Sequence, residues 1–201
     1  MHSLYRHMPP KGNLDGQLMD PMDRMDITVL LDEKAIERSI RRITHQILEK
    51  NGGSGNLSLV GIRTRGIFLA RRIQEQIRIV EKKEILVGVL DITMYRDDIF
   101  KLKTPEVKKT EIPFDVNNIT LVLVDDVMHT GRTTRAAIDA IMDLGRPKKI
   151  QLAVLVDRGS REMPIHPDYR GIFHPASTDQ EIFVKLREVD GLDEVILTKS
   201  A

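Results

Sequence analysis

Four branched apolar residues in a row, Leu121-Val122-Leu123-Val124, run directly into two adjacent carboxylates, Asp125-Asp126. An apolar run with no polar alternation marks a strand buried on both faces, which is how strands sit in a parallel sheet covered by helices. Four residues after the acids, Thr130-Gly131-Arg132-Thr133 leads into a helix expected from about Thr133. That helix turns Ile138, Ile141 and Met142 inward and stops at Gly145, with Pro147 just beyond. Leu152 to Val156 makes the next buried run.

The same alternation extends toward the N-terminus. Asp32 is placed to cap a helix in which Ile36, Ile40, Ile43 and Ile47 recur at helical spacing. Asn51-Gly52-Gly53-Ser54-Gly55 ends it. Leu57 to Gly61 is a short apolar run, followed by Arg63-Thr64-Arg65-Gly66 and a helix through Leu69 and Ile73. A further run from Ile85 ends at Leu90, before Asp91. Strands alternating with helices in this order predict an α/β fold with a parallel sheet and helices on both faces. Residues 92–114 are polar, carry both charge signs and contain Pro105 and Pro113; they read as a long loop. Residues 1–25 hold five of the nine methionines and no periodic pattern, so a flexible tail is expected there, with 26–201 as a single domain. Met22 and Met25 are alternative starts.

In an open parallel sheet, ligands sit beyond the carboxyl ends of the strands, where Asp125 and Asp126 fall. Adjacent carboxylates repel, so the pair calls for hydroxyl donors or a divalent cation. A ribose with Mg²⁺ near Asp125 and Asp126 supplies both. The loop that follows suits a monophosphate: Gly131 permits a tight turn, and the first helical amides are unpaired at the positive end of the helix dipole. Thr130 and Thr133 add hydroxyls. The loop lacks the lysine and glycine spacing of a triphosphate-binding loop. Together these features predict a site for a phosphorylated ribose.

Composition narrows the remaining classes. The chain has no cysteine, so neither disulfides nor thiolate chemistry enter, and no apolar run is long enough to span a bilayer. A cytoplasmic protein with no membrane partner is the expectation. A formal net charge of +1 rules out a global positive excess as a driver of nucleic-acid binding, and 4% aromatics argues against a surface of stacked bases. A local basic stripe remains. Lys34, Arg38, Arg41, Arg42 and His45 fall opposite the isoleucines, either as a track for RNA phosphates or as a solvated face shared with Glu37 and Glu49.

The run Val122-Leu123-Val124-Asp125-Asp126-Val127-Met128-His129-Thr130-Gly131-Arg132-Thr133 resembles the phosphoribosyl diphosphate signature of type I phosphoribosyltransferases. Leu90-Asp91-Ile92-Thr93-Met94-Tyr95-Arg96-Asp97-Asp98 and Leu152-Ala153-Val154-Leu155-Val156-Asp157-Arg158-Gly159 are similar to the PyrR family of pyrimidine operon regulators, as is Met142-Asp143-Leu144-Gly145-Arg146-Pro147. The similarity runs from about Leu30 to about Ile196. It implies a mostly parallel sheet flanked by helices, a flexible loop and a small hood. It also implies uracil phosphoribosyltransferase activity, forming UMP and diphosphate from uracil and phosphoribosyl diphosphate with Mg²⁺. Members of the family bind RNA in some bacteria, which makes the pyr mRNA leader a candidate partner. A homo-oligomer, dimer or higher, is expected.

Residue by residue, the resemblance makes Asp125, Asp126 and Arg96 the candidate catalytic residues. It makes Arg63, Thr64, Arg65 and Gly66 a diphosphate loop, which read alone is also consistent with a solvated turn. Residues 93–112 become a lid, with Tyr95 and Arg96 reaching the diphosphate; the other reading is a surface insertion. Val127, Met128, His129, Thr130, Gly131, Arg132 and Thr133 form the ribose-phosphate loop, while Val156, Asp157 and Arg158 line the base pocket. Arg38, Arg41 and Arg42 are the candidate RNA contacts. The chain departs from the family at Ser160, where His is usual, at Met163, where Leu is usual, and across Ile172-Phe173-His174, where Lys-Asn-(Ile/Val) is usual. Besides the enzyme, an RNA-binding attenuator that only senses nucleotide fits the same residues. A purine phosphoribosyltransferase is a third reading, against which Asp157-Arg158-Gly159 stands.

Overall fold

The computed structural model describes residues 26–97 and 109–199, so the expected tail and the middle of the 93–112 segment lie outside the described residues. Strand β1 (Asp26–Leu31) leads into helix α1 (Glu33–Asn51). The Asp32 carboxylate accepts from the Ala35 amide at 2.7 Å, the cap foreseen from the sequence. The helix ends where Gly52 turns left-handed at φ 64° and the Gly53 amide donates back to the Leu48 carbonyl at 2.9 Å. Ile36, Ile40, Ile43 and Ile47 are all buried.

Then follow β2 (Leu57–Ile62), α2 (Gly66–Glu81), β3 (Leu86–Leu90), β4 (Thr120–Met128), α3 (Arg132–Leu144), β5 (Lys149–Asp157) and β6 (Tyr169–Phe173). The five strands form one parallel sheet in the order β3-β2-β4-β5-β6. α1 and α2 cover one face through Ile43, Leu69 and Ile73 against Val122, Val124 and Leu155. α3 covers the other through Ala136, Ala137 and Ile141 against Leu121, Leu123 and Val154. Alternate residues of the apolar runs thus feed two cores, which is why those runs carry no polar positions.

Three expectations need correction. β4 does not stop at Val124: it continues through Met128, so Asp125 and Asp126 lie inside the strand, with Asp125 level with Val154. Met142 is 51% exposed, because α3 is seated by Ala136, Ala137, Ala140 and Ile141, and the next residue points about 100° away. The 92–114 segment is anchored at both ends. It begins with a 3-10 turn at Thr93–Tyr95 and returns along the edge of the sheet, where Val89 and Glu111 exchange amide bonds of 2.7 and 2.8 Å. The termini build the small hood that the resemblance implied, a second sheet that the apolar runs did not announce. There β1 pairs antiparallel with β8 (Glu194–Lys199), which pairs with β7 (Gln180–Lys185). Arg72 of α2 ties this hood to the main layer through Glu188 at 2.6 Å and Asp193 at 2.7 Å.

Candidate active site

β2 and β4 are parallel neighbours with Gly61 level with Val124, so the turn after β2 leaves the sheet beside Asp125 and Asp126. The approach is close. A Cβ on Gly66 would lie 2.3 Å from the Val124 carbonyl oxygen, and one on Gly61 would lie 2.3 Å from the Ile67 Cα. Only glycine at both points lets the start of α2 rest on the strand ends. The 63–66 turn and the 130–133 loop therefore open onto the same edge of the sheet, with the acidic pair between them.

Asp125 is buried, and its carboxyl is pushed well above the usual carboxylate range, first by burial and then by the neighbouring Asp126 charge. The amide of Asp126 donates to Asp125 Oδ1 at 3.0 Å, and that of Val127 to Asp126 Oδ1 at 2.9 Å. The two side chains also hydrogen-bond each other, and Asp126 is the more exposed of the pair. Among the described residues, no group of three metal-ligating side chains is assembled. Two carboxylates suit Mg²⁺ only when it arrives with its other oxygens on a diphosphate and water, which is how this ion is usually held.

After β4, Gly131 turns left-handed at φ 92° and α3 starts without a side-chain cap. The Arg132 amide donates to Thr130 Oγ1 at 3.3 Å, leaving the Thr133 and Thr134 amides facing outward at the positive end of the helix. The Thr130 carbonyl accepts from the amides of Glu162 at 2.9 Å and Met163 at 3.0 Å, which pins the loop against the segment after β5. The Arg132 guanidinium turns away from the cradle, onto Glu162 at 2.6 Å and onto Asp97.

The remaining predicted residues divide. Arg63 is half-buried; its Nη2 donates to the Lys109 carbonyl at 2.9 Å and its buried Nε has no partner. Thr64 is exposed, and the Arg63–Thr64 peptide is cis. The Arg65 guanidinium is paired with Asp190 at 2.8 Å. Tyr95 faces α3, donating to Asp143 at 2.7 Å while its carbonyl accepts from Arg135 at 3.1 Å. Arg96 is exposed beyond the 3-10 turn.

At the end of β5, Val156 is buried between Val127 and Ile172. Asp157 is buried too, but its carboxylate is spent on Arg161, on Arg170 at 3.3 Å and on the Gly159 amide at 3.0 Å. Through these partners it holds the loop after β5. Arg158 reaches the hood, donating to the carbonyls of Gln180 at 2.6 Å and Ser177 at 3.1 Å, while its buried Nε has no partner. The sequence reading missed Arg161. Besides Asp157 it binds the carbonyls of His129 at 2.7 Å and Gly159 at 3.0 Å, joining the two loops; its only local signal was the charge pair four residues apart. The His129 imidazole is held below its ordinary range by burial and by the charges of Arg158 and Arg161, with Glu162 opposing. Arg38, Arg41 and Arg42 are all exposed on α1, with Arg41 3.5 Å from Glu37.

The family model of the phosphoribosyl transferase domain matches residues 26–189. A bifunctional protein PyrR of Pelotomaculum thermopropionicum is 54% identical over 173 residues, covering 86% of this chain and 96% of that protein. Its counterpart in Halalkalibacterium halodurans is 53% identical over 172 residues, covering 84% and 96%. The solved hypoxanthine phosphoribosyltransferase of Staphylococcus aureus superposes with a TM-score of 0.64 at 17% identity, over 88% of this chain and 96% of that one. That of Trypanosoma cruzi gives 0.66 at 13%, over 86% and 97%; at such identities the likeness carries the fold alone. The fold, the acidic pair and the two flanking loops converge with these matches: the chain belongs to the phosphoribosyltransferase family, among the bifunctional PyrR proteins.

Proposed function

We propose that this chain makes UMP and diphosphate from uracil and phosphoribosyl diphosphate, and uses the same pocket to sense pyrimidine nucleotide as an RNA-binding regulator. One observation carries the catalytic half: parallel neighbours β2 and β4 deliver two anion-type loops to one sheet edge with Asp125 and Asp126 between them. A ribose phosphate there has its hydroxyls on the acids and its 5′-phosphate on the amides opening α3. The diphosphate lies toward Arg63, Thr64 and the Gly66 amide. A uracil nitrogen then forms its bond to the anomeric carbon as the carbon–oxygen bond breaks, and that electron pair leaves with diphosphate while the nitrogen's proton is released. Positive charge grows on the ribose and negative charge on the leaving group, so fixed carboxylates and fixed amides stabilise the two ends of the same transition state. Bound Mg²⁺ would neutralise the diphosphate.

Val156 and Arg158 line the base side, with Arg158 Nε available to a ligand; Arg96 closes the site from outside. Arg65 and Asp157 act as supports through Asp190 and Arg161. Residues 26–201 work as one domain and the protein as a homo-oligomer in the cytoplasm, a setting in keeping with no helix among the described residues being long and apolar enough to cross a membrane. Radiolabelled uracil with phosphoribosyl diphosphate and Mg²⁺ tests the reaction. UMP is the expected product, and hypoxanthine or guanine serves as the comparison. Conversion of a purine alone would replace the pyrimidine reading.

A second reading is favoured by the exposed stripe of Arg38, Arg41 and Arg42: an attenuator that binds nucleotide without turning it over. A gel shift with the pyr leader RNA, with and without UMP, addresses it. Binding strengthened by UMP and weakened in the double variant Arg41→Ala, Arg42→Ala is the expected result, whereas a nucleotide-insensitive shift counts against regulation.

A further inference from the structure

β6, one of the two edge strands of the parallel sheet, ends on an aromatic ring that nothing in the proposed reaction uses. Phe173 is 53% exposed, in a chain with only five phenylalanines. A single exposed apolar side chain needs no explanation by itself; its company sets this one apart. The Arg170 guanidinium stands over the ring at 5.1 Å from its centre and is held there by Asp157 at 3.3 Å. Gly159 comes up against the edge of the ring, leaving 3.6 Å between a Cβ at that position and Phe173 Cε2.

Basic groups converge on the same place from α1. The Arg42 guanidinium donates to the carbonyl of Gly171, two residues before Phe173, a separation of about 6.6 Å along a strand. Arg38 and Arg41 are exposed on the same helix, four and one residues before Arg42. Arg42, with Arg38 one helical turn before it, thus brings cations to the strand that carries an aromatic ring already paired with a guanidinium. Unpaired RNA bases are recognised by stacking on such rings and guanidinium planes, with cations on the flanking phosphates.

We propose that Phe173, with Arg170 over it, is a stacking platform for one unpaired base of a single-stranded RNA segment whose phosphates run along Arg42, Arg41 and Arg38. The inference rests on the RNA-binding half of the proposed function and names where the RNA sits. Low aromatic content excludes an extended stacked array, but one platform needs only one ring. Its position also bears on sensing. Phe173 is level with Asp157, which holds Arg170 and immediately precedes Arg158 of the base side, so platform and nucleotide pocket share the end of β5.

Fluorescence anisotropy of the full chain with a labelled leader hairpin carrying unpaired loop bases, across a salt series, tests this. Phe173→Ala is expected to weaken binding about 10-fold with the slope of log affinity on log salt unchanged, because a stacked ring neutralises no phosphate. Phe173→Tyr should keep wild-type affinity, and Arg41→Ala should instead flatten the slope by about 0.7–0.9. If the wild type fails to bind the hairpin, the RNA reading itself falls. If the wild type binds and Phe173→Ala binds equally well, the platform is wrong. A weaker Phe173→Ala complex with a flattened slope also overturns it, as does a change in oligomer mass for that variant, which would make the ring a subunit contact.

Discussion

Replacing Gly66 by Ala tests whether the 63–66 turn belongs to the site. The new Cβ would lie 2.3 Å from the Val124 carbonyl oxygen and 3.2 Å from the Asp125 Cα. Both obstacles are backbone, so no change of rotamer relieves them. To restore ordinary contact the start of α2 must retreat by about 1 Å. Overpacking of this kind costs about 1–3 kcal/mol, which for a chain of this length lowers Tm by about 2–12 °C. A displacement of about 1 Å at a positioning element costs about 100-fold in rate. Steady-state UMP synthesis with phosphoribosyl diphosphate varied should therefore show kcat/KM down about 100-fold, far beyond what the lost stability explains at a temperature where the variant stays folded. Gly55→Ala is the control, since nothing lies within 4 Å of a Cβ there. Wild-type kcat/KM in a Gly66→Ala protein with lowered Tm would refute the placement of the turn.

Other outcomes follow from the charges. The Asp193 side chain is fully buried; burial alone would raise its pKa, but hydrogen bonds from Arg72 and from Arg187 outweigh this and hold it below the usual range. Such a group stabilises the fold above about pH 3.9, its unfolded value, and loses that contribution as pH falls through the lower folded value. Asp193→Asn should cost about 3–5 kcal/mol near neutrality by denaturant unfolding, with the gap to wild type closing in acid; a gap independent of pH would contradict the pairing. The imidazole of His129, followed by NMR, should titrate below about 6.5, and Arg158→Ala should move its midpoint upward. A wild-type midpoint at or above that value would remove the burial and the neighbouring cations as causes.

How much of this was legible depended on whether the signal was local. The β4 run, the α1 isoleucine stripe, the Asp32 cap and the glycine at 131 are each set by residues a few positions apart, and each stands where periodicity or turn chemistry put it. The hood was not legible in the same way. β1 leaves Ile27 and Val29 44% and 54% exposed, so it has no buried run to announce it, and its partner β8 lies at the far end of the chain. Side-chain commitments were the least visible. Arg65 looked free for a diphosphate because Asp190 is 125 residues away, and the β5 run did not announce that Asp157 is paired with Arg161 and Arg170. A sequence shows which charges a loop owns; it does not show which of them the fold has already spent.

The central claim, that Asp125-Asp126 and the 130–133 loop hold a ribose phosphate, is tested most directly by a crystal structure with UMP bound. The 5′-phosphate should sit on the amides at the start of α3 near Thr130 and Thr133, with the ribose hydroxyls within hydrogen-bond distance of Asp125 and Asp126 and the uracil toward Arg158. UMP lying instead along α1, or with its phosphate at the 63–66 turn and its sugar away from the acids, would contradict the account.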